Sequence, residues 1–257
     1  MLNVFLCHKF ETLFSMDEEK RKRVFRIYNW ARIILFVLLL TFIFVKLVKA
    51  QTTNDFGVWV SAGSEKSVRD SWIFGISTEL RTKDYSKSVA RWRLGVNATY
   101  KVCKSLKLGG GYEFLLKSRM TGDWKEKVPR HRFMFDITSG TKVFNWLKLS
   151  LQERYQYTYT MQKGNVYAIH EHHLRSRFKT EMSNSKMKCW SPFASVEMFN
   201  NMAKQFQVDE MRVALGTTYN INTRHAINFG YLLDLKRSAD GMNKGLHVLT
   251  SGYVYKI

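Results

Sequence analysis

Ser251-Gly252-Tyr253-Val254-Tyr255-Lys256-Ile257, the last seven residues, decide how the rest of the chain is read. Tyr253, Tyr255 and Ile257 are spaced two apart and alternate with Gly252, Val254 and Lys256, so an extended chain here shows an aromatic and apolar side and a second, more polar one. Aromatic side chains near a chain end also suit a membrane–water boundary, where an amphipathic ring is at home. Upstream the same period of two recurs, and no window keeps a helical apolar period or twenty apolar residues in a row. Trp72, Phe74, Ile76, Thr78 and Leu80 oppose Gly75, Ser77, Glu79 and Arg81. Trp92, Leu94, Val96, Ala98 and Tyr100 oppose Arg91, Arg93, Gly95 and Asn97. Eight further alternating stretches follow, around 106–114, 132–137, 147–159, 173–182, 192–201, 211–219, 227–235 and 245–257.

Alternation alone fits two architectures. A soluble antiparallel sandwich turns its polar face to water and its apolar faces onto each other. A membrane barrel turns its apolar face to lipid. Three features favour the barrel. Aromatic residues gather toward strand ends, as at Trp72, Trp92, Tyr100, Tyr112, Tyr155 to Tyr159, Tyr219 and Tyr253, which suits two interfacial girdles. Connections alternate between short ones after Tyr100, Gly140, Met182 and Tyr219 and longer polar ones at Lys117 to Arg130 and Thr160 to His170. An export signal precedes the pattern. The expected fold is all-β: an antiparallel transmembrane β-barrel of about ten strands, with twelve as the alternative. Phe56 to Ala62 reads as an eleventh segment, and since bacterial single-chain barrels have even strand numbers, it is expected outside the wall.

The leader is read over residues 1–50. Basic residues between Arg21 and Arg32 precede an apolar run from Ile33 to Val45, broken only by Thr41, and Val48-Lys49-Ala50 supplies a cleavage site before Gln51. That run is shorter than the roughly 20 residues that span a bilayer, so a cleavable signal peptide is expected, with a retained anchor as the alternative and Met16 as the start. The remaining residues 51–257 suit a single domain. Two prolines and 14% aromatic residues argue for a chain folded throughout. Of the net charge of +20, residues 1–50 hold 9 basic and 4 acidic, which leaves 32 minus 17, or +15, in the domain. Such an excess points to anionic lipid or an acidic ligand, and export makes nucleic acid a poor partner. Cys103 and Cys189 alone follow the leader and are read as unpaired, without a disulfide framework.

Two resemblances join these readings. The closing stretch resembles the C-terminal signal of bacterial outer-membrane barrels, with Ile257 where Phe is usual. This implies that Gly252, Tyr253, Tyr255 and Ile257 address the barrel-assembly machinery. Ser195-Val196-Glu197-Met198-Phe199-Asn200-Asn201 resembles the most recognisable motif of the domain-of-unknown-function 2490 family. Glu153-Arg154-Tyr155, Arg175-Ser176-Arg177-Phe178 and His247-Val248-Leu249 agree with it. That resemblance implies an integral outer-membrane barrel of Gram-negative, often Bacteroidetes, bacteria, and it carries over no catalytic residue.

The polar faces hold Glu79, Arg91, Arg93, Glu113, Arg132, Asp136, Arg154, Arg175, Arg177, Glu197, Arg212 and Asp234. Charges withdrawn from bulk water must pair or stay hydrated, so these twelve are expected as a lumen charge network with Glu197 at its acidic centre. It either plugs the barrel or lines a narrow channel that favours anions. His170, Glu171, His172 and His173 are ligand types, but alternation sends His173 away from the other two histidines, and no metal is expected. Ser176, Ser195 and Ser251 with a histidine would be the raw material for hydrolysis. Without triad spacing, an enzyme acting on lipid or lipopolysaccharide is only an alternative, beside a soluble periplasmic binding sandwich. Gly109 to Gly111 lack the Lys-Ser/Thr and helix of a phosphate loop and read as room for bulky lumen side chains or a bent strand. No cofactor is expected. Arg119, Lys125, Lys127, Arg130, Lys163, Lys204, Lys236, Arg237 and Lys244 are expected in loops, where they suit the phosphates of lipopolysaccharide.

Overall fold

The computed structural model describes residues 53–69, 71–121, 124–160, 168–182, 189–237 and 243–257. The leader and the start at Met16 lie outside the described residues, as does Lys163. Among the described residues eleven strands follow one another: β1 Thr53–Val68, β2 Trp72–Lys83, β3 Ser88–Lys101, β4 Leu106–Thr121, β5 Trp124–Phe144, β6 Leu147–Thr160, β7 Ile169–Met182, β8 Trp190–Asn201, β9 Gln207–Asn220, β10 His225–Arg237 and β11 Asn243–Lys256. Each pairs antiparallel with the next, and β1 pairs with β11 to close one barrel. There is one sheet closed on itself, so the sandwich alternative does not hold.

The strand number corrects the expectation of ten or twelve. Phe56 to Ala62 is not accessory: it forms the middle of β1, between β2 and β11. Successive hairpins reverse direction at each turn, so an odd number leaves the first and last strands pointing the same way. Closure is accordingly parallel, from Thr53 opposite Lys244 to Glu65 opposite Lys256. Evenness is a habit of bacterial barrels, whereas a parallel ladder satisfies the edges equally well.

Alternation decides which side faces out. Phe74, Ile76, Phe133 and Phe135 stand about half exposed on the outer surface (47, 52, 51 and 51%), while Glu113, Glu197, Arg175, Arg212 and Asp234 are buried inside. The barrel has two unlike ends. At one, which we call the turn end, lie the connections 69–71, 102–105, 145–146 and 221–224. The Ile257 amide donates there to the Glu65 carbonyl at 2.8 Å. At the other, the mouth, lie the β2–β3 turn and a 3-10 turn, Met202–Lys204. Asp84, Tyr85 and Ser86 take positive φ in the β2–β3 turn, and the Asp55 carboxylate holds it by accepting from the Asp84 and Tyr85 amides at 3.0 and 2.9 Å. The long loop expected from Lys117 to Arg130 is mostly strand, because β4 runs to Thr121 and β5 begins at Trp124. Charged residues occupy both faces of that hairpin, so its period of two leaves no apolar trace.

Outer aromatic residues ring both ends. Trp72 packs on Tyr100 at 4.9 Å and Trp190 on Tyr219 at 4.6 Å at the turn end. Five tyrosine hydroxyls pair with histidine Nδ1 atoms on the neighbouring strand: Tyr112 with His131, Tyr155 with His172, Tyr157 with His170, Tyr231 with His247 and Tyr253 with His225, at 2.5–2.8 Å. Each pair ties two polar groups together on an otherwise apolar surface, which lowers the cost of placing them there.

Candidate functional site

Register, rather than side-chain reach, assembles the interior. Glu79 lies directly opposite Arg93, Glu113 opposite Arg132, Asp136 opposite Arg154, and Glu197 opposite both Arg177 and Arg212. Arg212 in turn faces Asp234. Opposite charges placed this way stabilise a strand pair, and around the lumen they form a nearly continuous chain. Arg93 Nη1 donates to Glu113 at 2.7 Å and its Nη2 stands 3.6 Å from Glu79, so one guanidinium links β2 to β4. Arg132 reaches Glu113 from the other side at 3.3 Å. Arg154 grips Asp136 with two nitrogens, Nη2 at 2.9 Å. Arg177 Nε meets Glu197 at 2.5 Å, with Arg175 and Arg212 each 3.9 Å from that carboxylate. Where carboxylates run out, neutral groups continue the chain: Arg132 donates to Thr158 and Arg175 to Gln152, at 3.1 and 3.2 Å. All twelve residues read from the sequence as a network thus lie on the inner wall, and Glu197 meets three arginines.

Above this layer lies a cavity of about 660 Å³ that extends to the mouth. Asp55, Lys83 and Lys244 line its rim, and Arg154, Arg175 and Asp234 its depth. Among the described residues nine arginines and five lysines line it against six acidic residues, so its field is positive. Among the described residues, none of the turn half enters the lining.

The other residues singled out in the sequence do not converge. His170 and His172 face outward onto tyrosines, Glu171 pairs inward with Arg130 at 3.2 Å, and His173 stands 3.9 Å from Asp209. Ser176 donates to Glu153 at 2.7 Å on the outer face, which satisfies the carboxylate that interrupts the apolar face there. Ser195 is buried in the lumen and Ser251 sits on β11, opposite Phe229. Gly109 and Gly111 face inward in β4, and a Cβ on Gly111 would come within 2.9 Å of the Val96 carbonyl oxygen. Gly252 also faces inward, while Tyr253 and Tyr255 flank His225 outside. Cys103 and Cys189 are free and exposed at the turn end.

Residues 56–244 match the family described as protein of unknown function, DUF2490. The chain belongs to the DUF2490 family. Among solved structures this DUF2490 barrel is similar to that of the NanC porin in a rhombohedral crystal form, with 11% identity, a TM-score of 0.44, and 70% of this chain and 86% of the porin chain covered. No curated protein matches it.

Five residues of the DUF2490 lumen escaped the reading by residue type. Arg81 and Glu210 sit two residues from Glu79 and Arg212, hence on the same face, and pair with them; that spacing was the available signal. Arg130 and Lys236, expected in loops, instead point into the lumen from β5 and β10, where Lys236 lies 3.1 Å from Asp234. Both strands extend past their apolar stretch, so alternation could not announce them. Trp59 carried no signal at all. It faces inward from β1, with the Arg81 guanidinium 3.5 Å and that of Arg212 5.1 Å from its ring. Its π face bridges the charge chain across the closing seam, where Trp59 stands opposite Thr250 and not opposite a charge.

Proposed function

We propose that this DUF2490 protein is an exported, integral β-barrel of a Gram-negative outer membrane, non-enzymatic, whose lumen is a narrow, charge-lined passage favouring small anions. The observation that carries this reading is the inverted distribution of polarity. A single closed sheet bares its aromatic and aliphatic side chains on the outside and keeps its charges within, an arrangement that suits a lipid surround. Residues 1–50 would act as the cleaved signal peptide. Gly252, Tyr253, Tyr255 and Ile257 would present the last strand to the assembly machinery, and basic residues at the mouth would meet lipopolysaccharide phosphates. The anion preference rests on the excess of arginine and lysine in the cavity lining. A second reading is supported by the cavity ending at the charge layer: the layer is a permanent plug and the barrel is structural.

The test is fractionation followed by a denaturing gel of boiled and unboiled outer membranes. We expect a faster unboiled band in that fraction, then a small anion-selective conductance in a planar bilayer. Recovery from the soluble periplasm would sink the membrane reading. A shifted band without conductance would favour the plug.

A further inference from the structure

We infer that the mouth half of the lumen holds a binding site for a small, multiply charged oxyanion, centred on Arg81, Arg91 and Lys117 with Arg130 beside them. This deepens the reading of the lumen as a solute-accessible space, and it rests on that reading. Its starting point is a row where the charge pairing of the barrel fails. Arg81 lies directly opposite Arg91, and Arg91 directly opposite Lys117, so three neighbouring strands present like charges to one another on the inner face. Directly opposed like charges destabilise a sheet.

The protein compensates this row only in part. Glu79 contacts Arg81, Arg91 and Arg93 at 2.5, 3.2 and 3.6 Å, so one carboxylate serves three guanidinium groups. Lys117 makes no ion pair among the described residues. Arg130 spends one nitrogen on Glu171, while its Nε and that of Arg91 are buried without a hydrogen-bond partner. All four side chains line the cavity, whose volume falls within the usual range for small-molecule pockets. An anion entering there would relieve the repulsion and give Lys117 the partner it lacks among the described residues.

The same geometry narrows the ligand class. The aromatic rings of the lining, Trp59 and Phe199, have arginines over them, Arg81 at 3.5 Å and Arg212 at 4.6 Å. Recognition is therefore by charge rather than by ring stacking. Guanidinium forks match the paired oxygens of carboxylate and phosphate, and the Lys117 ammonium adds a point charge. Several cations around one space favour a multivalent solute over a halide.

The experiment uses the mature barrel in detergent, with folding verified by the unboiled gel shift. Pyrophosphate, citrate and glucose are titrated separately by calorimetry. We expect saturable binding of at least one of the two anions and none of glucose. Removing one charge-assisted partner should weaken binding by about tenfold or more, in Lys117→Gln and in Arg91→Gln. Lys142→Gln, at the turn end, should bind as wild type. Lys117→Gln removes no ion pair seen among the described residues, so its gel shift should persist. Pyrophosphate binding much more tightly than citrate would identify a phosphate-bearing solute, and the reverse a polycarboxylate. A shifted, folded barrel that gives no heat with either anion, or a Lys117→Gln barrel with unchanged affinity, would overturn the site. Binding without conductance would overturn the passage and leave the site standing; conductance without binding would do the opposite.

Discussion

The two halves of the lumen are built on different physics. In the turn half many inner positions are glycine, serine or threonine and the backbones approach closely, while Lys179 and Glu181 pair on the same inner wall at 3.2 Å. A Cβ on Gly216 would fall 2.5 Å from the Phe229 carbonyl oxygen and 2.7 Å from the Phe193 ring, and one on Gly252 would fall 2.6 Å from Ser61 Oγ. In the mouth half the wall is arginine and carboxylate, and space remains between the strands' side chains. Close backbone approach distinguishes one half, and a dense ion-pair layer beside open space the other. The boundary between them is the layer of cross-strand ion pairs, which belongs to the stability of the barrel as much as to its chemistry.

The largest break in that comparison should come from Glu113. It is buried between Arg93 and Arg132, at 2.7 and 3.3 Å. Glu113→Ala leaves two guanidinium groups without their shared carboxylate, and losing one partner of a buried ion pair costs about 3–5 kcal/mol. The urea midpoint of the gel-shifted band should fall accordingly. Glu113→Gln should be nearly as costly, because it keeps the shape and loses the charge. An unchanged midpoint in both would mean that water, and not pairing, carries these arginines.

Gly216→Val tests the other half. Its added atoms meet a backbone carbonyl and a packed ring, so strain of about 1–3 kcal/mol is expected. Gly110→Val is the matched control on the outer face of β4, where the nearest atom to a Cβ is the Met134 carbonyl oxygen at 3.8 Å. It should change the midpoint by less than about 0.5 kcal/mol. Equal effects at the two glycines would show that the close approach in the turn half is not what specifies it. Trp59→Leu comes next, with a loss of about 1–2 kcal/mol for two cation–π contacts across the seam. A larger loss would make the seam, rather than the ion pairs, the weak part of the mouth.

Much of this was legible in the sequence, and what was not has identifiable reasons. The face of each charged residue follows from period two, so Glu79 to Asp234 could be set on the inner wall before any register was known. Which carboxylate meets which arginine needs the register, fixed by turn lengths that composition does not reveal. β1 was recognisable as a strand, but the habit of even strand numbers placed it outside the wall. The Tyr–His pairs stayed hidden because the partners are separated by 13 to 28 residues. Read along the chain, His170 and His172 suggest a ligand set; across the strands, each is the partner of a tyrosine.

The smallest perturbation asks which half faces which compartment. Cys103 and Cys189 are both free at the turn end, and in the proposed orientation that end faces the periplasm. A polyethylene-glycol maleimide too large to cross the outer membrane should leave both thiols untouched in intact cells and modify them once that membrane is broken. Labelling in intact cells would invert the orientation and put the anion site on the periplasmic side. Cys103 adds a pH signature. Hydrogen bonds with the Ser105 side chain, and then with the Ser105 and Leu106 backbone, hold its thiol below the ordinary range. The thiolate is the reacting species, so below the ordinary thiol range Cys103 keeps more of its reactivity than an isolated cysteine does. Ser105→Ala removes the first of these bonds and raises the thiol again. Its labelling should slow at neutral pH and match wild type well above the thiol range, where both are ionised. A uniform change at every pH would assign the effect to access instead of ionisation.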